Sequence, residues 1–250
     1  MSDRGRMPDK AMILAAGHGT RLRPITDHVP KAMAPVAGKP ILQHTVEMFR
    51  KRGITEIVIN LCHLPWVVMD HFGDGATWGV KIHYSLEEEA LGTAGGVKRV
   101  EGLFDEPFFV WYGDNLGSCD LARLYQFHRA KGGVATIGLC HRQDVSGRGI
   151  VGLDAGDRIT RFLEKPAPDQ VFSHWINAGV YVLEPRVLDL VPPGKFFDFG
   201  RDVFPALLDR GDSLFGYRMS ADEGLWLIDT PEDLERVEIA LSAGGGLTSF

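Results

Sequence analysis

Residues 11–22 read AMILAAGHGTRL, an apolar run that passes directly into a turn containing two glycines. A short, continuous apolar run stopped by glycine is typical of a strand buried on both faces. Glycines directly after such a strand let backbone N–H groups approach a polyphosphate without interference from a Cβ atom. The turn is not a Walker A loop, because GxxxxGK[ST] is absent, nor the dinucleotide fingerprint GxGxxG, because Leu22 occupies the position of its third glycine.

Segments with strand and helix periodicity alternate from this turn to Cys140. Further strands are predicted at residues 54–61, 80–84, 107–112 and 134–139, and helices at residues 40–52, 66–71, 93–100 and 121–131. Repeated strand–helix–strand units of this length imply right-handed crossovers and a mainly parallel sheet covered on both faces. The predicted fold class is therefore α/β, with three αβα layers and a mixed, mostly parallel sheet.

The rhythm changes after Cys140, where antiparallel strands are predicted. Two strand-like runs at 149–153 and 158–164 flank Asp154-Ala155-Gly156-Asp157, which is a hairpin signal. Strands at 176–183 and 213–219 and a helix at 201–208 are predicted to follow. Thr230-Pro231-Glu232-Asp233 then has the cap, the proline and the acidic first turn of a helix start.

Composition excludes several classes of protein. The chain has 250 residues, 44% of them hydrophobic and 24% charged, and its formal charge of −6 disfavours a nucleic-acid surface. No apolar run approaches the roughly 20 residues of a membrane helix, and residues 1–10 lack a signal-peptide core. We therefore expect a cytoplasmic protein with no membrane contact. Cys62, Cys119 and Cys140 form no CxxC pair and are expected to be reduced and buried.

A lysine between prolines is the next candidate for phosphate binding. Lys31 lies in Pro30-Lys31-Ala32-Met33-Ala34-Pro35, where a flexible cation is carried by stiffened backbone, although a solvated loop lysine has the same pattern. The five tryptophans are expected mostly in the core. Trp111 is the exception: it is a candidate for contact with a ligand, because it directly precedes Tyr112-Gly113-Asp114.

Residues 14–42 resemble the signature of the sugar-phosphate nucleotidyltransferases, approximately LAAGxGTRLxPLTxxxPKxMxPVxxKPxL. Five further motifs occur in the family's order: Leu91-Gly92-Thr93-Ala94-Gly95, Tyr112-Gly113-Asp114, Glu164-Lys165-Pro166, Asn177-Ala178-Gly179 and Asp229-Thr230-Pro231. The chain is most similar to short mannose-1-phosphate guanylyltransferase-like members, and no hexapeptide repeat of a β-helix is present.

The resemblance implies a Rossmann-like, GT-A-like nucleotidyltransferase fold that joins a nucleoside triphosphate to a sugar 1-phosphate with Mg²⁺. No long linker interrupts the predicted elements, so we expect one domain at 10–242, between a disordered tail at 1–9 and a frayed tail at 243–250. Its halves are a nucleotide-binding half at 10–140 and a sugar-phosphate-binding half at 141–242. Its expected partners are the two small-molecule substrates, and a second copy in a homodimer is left open.

The resemblance also assigns roles to residues. Nucleotide-binding residues are expected to be Leu14, Ala15, Ala16, Gly17, Gly19, Thr20, Arg21, Glu89, Gly92, Thr93 and Gly113. The sugar phosphate would contact Gly149, Glu164, Lys165 and Asn177. The catalytic residues would be Arg21, Lys31, Asp114 and Lys165. Magnesium would be held by Asp114 and Asp229.

Several alternatives stay open from the sequence. The family usually reads Asp-Ile-Gly-Thr-Pro where this chain has Asp229-Thr230-Pro231, which leaves the role of Asp229 uncertain. The segment around Glu89 favours GTP with mannose or heptose 1-phosphate, against a uridylyl- or thymidylyltransferase. A non-catalytic nucleotide-sugar sensor is a further alternative, and a dinucleotide-dependent oxidoreductase is disfavoured by the missing third glycine.

Overall fold

The computed structural model describes residues 6–220 and 222–242. Its strands are β1 Lys10–Leu14, β2 Pro35–Val36, β3 Lys39–Pro40, β4 Glu56–Leu61, β5 Lys81–Leu86, β6 Phe108–Tyr112, β7 Asn115–Ser118, β8 Ala135–His141, β9 Ile150–Leu153, β10 Ile159–Leu163, β11 Trp175–Leu183, β12 Leu214–Arg218 and β13 Gly224–Leu227. Its α-helices are α1 Ile41–Lys51, α2 Pro65–Phe72, α3 Gly92–Lys98, α4 Leu121–Lys131, α5 Phe204–Asp209 and α6 Pro231–Ser242.

Within the described residues, nine of these strands form one mixed sheet. β1 lies between β4 and β6 and is parallel to both, and β5 continues the parallel set beyond β4. β11 is antiparallel to β6 on one side and to β8 on the other, and β12 is parallel to β8. The hairpin of β9 and β10 joins through β9 to β11. The α/β prediction with a mostly parallel mixed sheet is confirmed.

Helices cover both faces of this sheet because the side chains of β1 alternate between two cores. Ala11 and Ile13 pack in one core with Leu42 and Phe49 of α1 and Leu124 of α4. The neighbouring Met12 instead joins the opposite core, which includes α3 and α5. The three predicted layers are therefore present.

A third, smaller core fixes the last helix against the glycine-containing turn. Leu22 of that turn packs with Leu116 of β7, Ile228, and Leu234 and Val237 of α6. β7 pairs with β13 in a separate two-stranded sheet, so the residue after β13 is held near the end of β6. This packing joins the two predicted halves at the edge where β1 and β6 end.

The predicted elements agree with the structure to within a few residues, with three differences. The predicted helix at 201–208 begins as a π-helical turn, Phe199–Val203, and only then continues as α5. The short pairs β2–β3 and β7–β13 were not predicted. Asp9, the last residue of the predicted tail, accepts hydrogen bonds from the N–H groups of Thr55 and Glu56, whereas residues 1–5 and 243–250 lie outside the described residues.

Two expectations about burial need correction. Cys62 is only partly buried, while Cys119 and Cys140 are buried as predicted. Trp111 is 1% exposed and packs edge-on against Phe49, so it is a core residue and not the ligand contact considered from the sequence. Trp66, by contrast, is 58% exposed. No described helix is both long and apolar enough to cross a membrane.

Candidate active site

The candidate site lies at the carboxyl ends of β1 and β6, where open α/β sheets bind their ligands. The turn after β1 and the Gly113-Asp114 turn after β6 meet through a hydrogen bond from the Gly113 N–H to the Leu14 carbonyl, 2.9 Å. Gly113 has no room for a side chain, since a Cβ atom there would lie 2.9 Å from that same carbonyl oxygen. Asp114 is therefore held directly beside the start of the turn.

Lys31 reaches the same place from its own short helical turn. Its ammonium group forms a close ion pair with Asp114 Oδ2 and lies 2.6 Å from Asp229 Oδ1. Gly19 has a φ of 62° and packs directly on Lys31, because a Cβ atom at Gly19 would lie 2.8 Å from the Lys31 Cβ. Glycine is therefore required at position 19 for two reasons: it adopts the left-handed backbone conformation, and it leaves room for the segment that carries Lys31.

Asp229 is placed by β13 and by the cap of α6, despite the shortened turn. The Ile228 N–H donates to the Asp114 carbonyl, 3.3 Å, and the side chain of Asp233 accepts from the N–H groups of both Asp229 and Thr230 at 3.0 Å. The Thr230 Oγ1 in turn accepts a hydrogen bond from the Asp233 N–H at 3.3 Å, as expected for a helix start. The structure thus brings Asp229 beside Asp114 without the two residues that similar sequences have there.

Positive side chains surround Asp229. Arg21 contacts Asp229 Oδ1 at 2.8 Å, and Arg148 lies 4.0 Å from Oδ2. Burial alone would raise the pKa of Asp229, but Lys31, Arg21 and Arg148 outweigh it and hold that pKa below its ordinary range. Likewise, burial would lower the pKa of Lys31, yet its two carboxylate partners raise it. Lys31 and Asp229 are therefore both charged at neutral pH.

A cavity of about 220 Å³ opens beside these charges. It brings together eight residues predicted from the sequence, namely Arg21, Thr93, Asp114, Gly149, Glu164, Lys165, Asn177 and Asp229. Lys165 has a φ of 50°, in the left-handed region that residues other than glycine rarely adopt. The Asn177 side chain donates to the Tyr181 hydroxyl, 2.8 Å, and accepts from the Gly179 N–H, 2.9 Å, which fixes its orientation on the cavity wall.

Other residues of this wall were not identified from the sequence. They are Tyr112, Asn115, Gly147, Arg148, Ala178, Gly179, Asp198 and Leu227. Tyr112, Ala178 and Gly179 lie within motifs quoted from the sequence but had no role assigned to them. The others, apart from Asp198, lie one or two residues from a predicted site residue, so adjacency could have indicated them. Asp198 has no such neighbour. Its only sequence signal is its position before a helix, where aspartate is a favoured N-cap.

The residues predicted for the nucleotide do not all lie together. Leu14, Ala15, Gly17 and Gly113 line a small cavity of about 40 Å³ next to Lys31 and Asp114. Glu89 lines a separate cavity of about 370 Å³, together with Glu87, Leu91 and Arg99. Ala16, Gly19, Thr20 and Gly92 line neither cavity.

Gly92 and Thr93 contact protein where nucleotide contacts were expected. A Cβ atom at Gly92 would lie 2.5 Å from the carbonyl oxygen of Phe197, so glycine is required there for packing. The Thr93 hydroxyl donates to Asp198 Oδ2 at 2.9 Å and accepts from the Phe199 N–H at 2.8 Å. Thr93 therefore faces the same cavity as Glu164 and Lys165, whose predicted ligand is the sugar phosphate.

A buried polar network supports the glycine-containing turn from behind. Asn60, at the end of β4, accepts from the Ala15 N–H at 2.9 Å and donates to Glu87 at 2.8 Å. Glu87 in turn accepts from the Leu91 N–H at 2.8 Å. Asn60 and Glu87 are 2% and 5% exposed, so this network fixes the turn after β1 relative to the Leu91-Gly92 turn.

Comparison with known proteins agrees with this arrangement. The Nucleotidyl transferase family profile matches residues 10–227. The chain is 41% identical over 224 residues to a UTP–glucose-1-phosphate uridylyltransferase from Synechocystis sp., covering 84% of this chain and 58% of that protein. It is 40% identical over 240 residues to a mannose-1-phosphate guanylyltransferase from Mycobacterium tuberculosis, covering 94% of this chain and 65% of that protein. The chain thus spans about three fifths of the length of these relatives.

Solved structures show the same fold. A Bacillus anthracis protein, provisionally named as a glucose-1-phosphate thymidylyltransferase, superposes with a TM-score of 0.82 at 25% identity, covering 92% of this chain and 94% of that one. HddC from Yersinia pseudotuberculosis superposes with a TM-score of 0.79 at 24% identity, covering 93% of this chain and 99% of that one.

Proposed function

This chain belongs to the Nucleotidyl transferase family, and from that premise we propose that it joins a nucleoside triphosphate to a sugar 1-phosphate and releases pyrophosphate. The observation that carries the proposal is the convergence of Lys31, Arg21, Asp114 and Asp229 at one end of a polar cavity. Two anionic reactants can meet only where fixed positive charge offsets their repulsion.

The proposed reaction is a single in-line displacement. A phosphate oxygen of the sugar 1-phosphate attacks the α-phosphorus of the triphosphate and forms a new P–O bond. The bond from the α-phosphorus to the bridging oxygen of the β-phosphate breaks, and pyrophosphate leaves with that electron pair. No covalent enzyme intermediate is required, so the contribution of the protein is positioning and charge neutralisation.

Lys31 and Arg21 would bind the phosphates. Both side chains contact Asp229 in the structure, and each can exchange a carboxylate for a phosphate oxygen when a triphosphate enters. Lys165 lies on the wall of the same cavity as Arg21 and would neutralise the sugar 1-phosphate. The backbone of the turn after β1 would approach the triphosphate in the cavity that Gly17 and Gly113 line.

Asp114 and Asp229 fit a magnesium ion. Their carboxylates approach one cation, the Lys31 ammonium, from two sides, and Mg²⁺ is commonly held by one or two carboxylates together with substrate phosphates. Among the described residues, no group of three or more His, Cys, Asp and Glu side chains could hold a metal ion, so phosphate oxygens would complete the coordination. When bound, magnesium would offset charge on the phosphates.

The choice of base and sugar is the finer part of the proposal. We favour GTP with mannose 1-phosphate or a heptose 1-phosphate, although the relatives named for guanylyl and uridylyl transfer are about equally similar to this chain, at 40% and 41% identity. Small changes in a pocket alter specificity by only a few kcal/mol.

The experiment incubates the purified chain with each nucleoside triphosphate against a panel of sugar 1-phosphates, with magnesium, and identifies products by mass. We expect one nucleotide-sugar together with stoichiometric pyrophosphate. Binding of a nucleotide-sugar without any pyrophosphate release would contradict the proposal and would support a sensor.

A further inference from the structure

The cavity wall contains a further carboxylate, Asp198, in addition to Asp114, Glu164 and Asp229. Asp198 caps the π-helical turn, since its Oδ1 accepts from the N–H groups of Gly200 at 3.0 Å and Arg201 at 3.4 Å. Its Oδ2 accepts from the Thr93 hydroxyl at 2.9 Å. Three hydrogen-bond donors thus hold this carboxylate in a single orientation at the cavity.

Asp198 lies close to Glu164, which is also on the cavity wall. A Cβ atom built on Gly200 would lie 2.6 Å from Glu164 Oε2 and 3.5 Å from Asp198 Oδ1, so both carboxylates approach the same point. A Cβ atom on Gly149 would also lie 2.6 Å from Glu164 Oε2. The Glu164 carboxylate therefore packs closely on both Gly149 and Gly200, beside Asp198.

The two carboxylates repel each other. Burial raises the pKa of Glu164 and the charge of Asp198 raises it further, while Lys165 and Arg201 offset this only in part. By contrast, Asp229 on the same cavity wall has its pKa lowered overall by three positive side chains, Lys31, Arg21 and Arg148. Two differently charged clusters thus lie at this cavity. We call the cluster of Arg21, Lys31, Asp114 and Asp229 the phosphate end, because its cations suit phosphate, and the pair of Glu164 and Asp198 the acidic end, because its carboxylates suit hydroxyl groups.

Resting on the function proposed above, we infer that Asp198 is a specificity-determining residue that excludes acceptors carrying a second anionic group. Uncharged sugar hydroxyls can donate hydrogen bonds to Glu164 and Asp198. A sugar 1-phosphate with a carboxylate on its ring, such as a hexuronic acid 1-phosphate, would bring a third negative charge to this end. Like charges placed together in a desolvated site cost several kcal/mol.

The test compares a hexose 1-phosphate with the corresponding hexuronic acid 1-phosphate as acceptors. We expect kcat/KM of the wild-type protein to favour the hexose 1-phosphate by about a hundredfold or more. In Asp198→Asn the ratio should fall by about tenfold, because one of the two repelling charges is removed. Asparagine is as good an N-cap as aspartate, so the π-helical turn should remain.

Two further variants control the interpretation. Asp209→Asn makes the same change of charge at an exposed residue at the end of α5, and its ratio should equal that of the wild type. Asp198→Ser also keeps a capping oxygen without the charge, and it replaces Asp198→Asn if that protein does not fold.

Each outcome has a distinct meaning. A wild-type ratio near one, or a ratio unchanged in both Asp198 variants, would overturn the inference while leaving the proposed reaction intact. Failure of the wild-type protein to use any neutral hexose 1-phosphate with any triphosphate would instead overturn the proposed function.

Discussion

The two ends of the cavity differ in how their charges are arranged. At the phosphate end, Lys31 and Arg21 each contact a carboxylate, and Asp114 and Asp229 each have a cationic partner. At the acidic end, Glu164 and Asp198 approach each other, and hydrogen bonds rather than a cation hold Asp198. On the proposed function, the phosphate end would exchange partners when charged ligands bind, whereas the acidic end would select among sugars.

The largest effect is expected from Asp114→Asn at the phosphate end. Losing this charge removes a proposed magnesium ligand and a partner of Lys31, so kcat should fall by at least about a thousandfold. The measurement is the initial rate of pyrophosphate release at saturating substrates. Asp105→Asn, at an exposed carboxylate elsewhere, should keep wild-type kcat. If Asp114→Asn is as fast as the wild type, Asp114 is not a metal ligand.

A smaller effect is expected from Arg21→Ala. Charge-assisted hydrogen bonds to phosphate contribute about 1.5–3 kcal/mol each, so kcat/KM for the triphosphate should fall by about ten- to a hundredfold. Arg23→Ala is the matched control, because Arg21 and Arg23 are similarly exposed, at 63% and 66%, and Arg23 pairs only locally with Asp27. Equal losses in the two variants would show that the effect comes from the loss of one positive charge and not from the position of Arg21, which would contradict the proposed phosphate contact.

A third variant tests how much the buried polar network of Asn60 and Glu87, which supports the turn after β1, contributes to stability. Gly96→Ala would place a Cβ atom 2.5 Å from Asn60 Nδ2 and 2.8 Å from Glu87 Oε1. Alanine normally stabilises a helix relative to glycine by up to about 1 kcal/mol, yet here we expect destabilisation of about 1–3 kcal/mol. Chemical denaturation measures the free energy of unfolding. Gly102→Ala has no atom within 4 Å of the new Cβ and should not be destabilised.

The smallest effect is a shift in pH dependence at the acidic end. Because burial and then Asp198 raise the pKa of Glu164, the acid limb of kcat/KM for the sugar 1-phosphate should lie above the ordinary glutamate range. In Asp198→Asn that limb should move to lower pH, since the ionised form of Glu164 becomes easier to reach. A pH–rate profile measures this, and a limb that stays in place or moves to higher pH would contradict the comparison.

The approach of Lys31 and Arg21 to one place could be predicted from sequence, and the acidic end only in part. Lys31 and Arg21 belong to one continuous segment, 14–42, so their approach follows from residues that are close together in the sequence. Asp198 acts through Thr93, 105 residues away, and no local pattern reports that contact. The sequence likewise gives no signal that the Thr93 hydroxyl bonds to Asp198, and the predicted nucleotide contact of Thr93 stays a prediction.

The position of Asp229 shows a different limit. Its sequence motif is two residues short, which left its role uncertain. Its placement depends on β13 pairing with β7 and on the small core beneath α6. Strands of four residues without clear alternation give no periodic signal, so this pairing could not be inferred from the chain, and only the family resemblance indicated that Asp229 lies near Asp114.

We propose that Asp229 and Asp114 act together beside Lys31, as carboxylates that hold magnesium at a single reaction centre. The most direct measurement is magnesium-dependent pyrophosphate release by the wild-type protein and by Asp229→Asn, each supplied with the preferred triphosphate and sugar 1-phosphate. We predict that release by the wild type stops when magnesium is chelated, and that Asp229→Asn loses at least about a hundredfold in rate while remaining folded. A folded Asp229→Asn protein with the wild-type rate and the wild-type magnesium dependence would contradict the account.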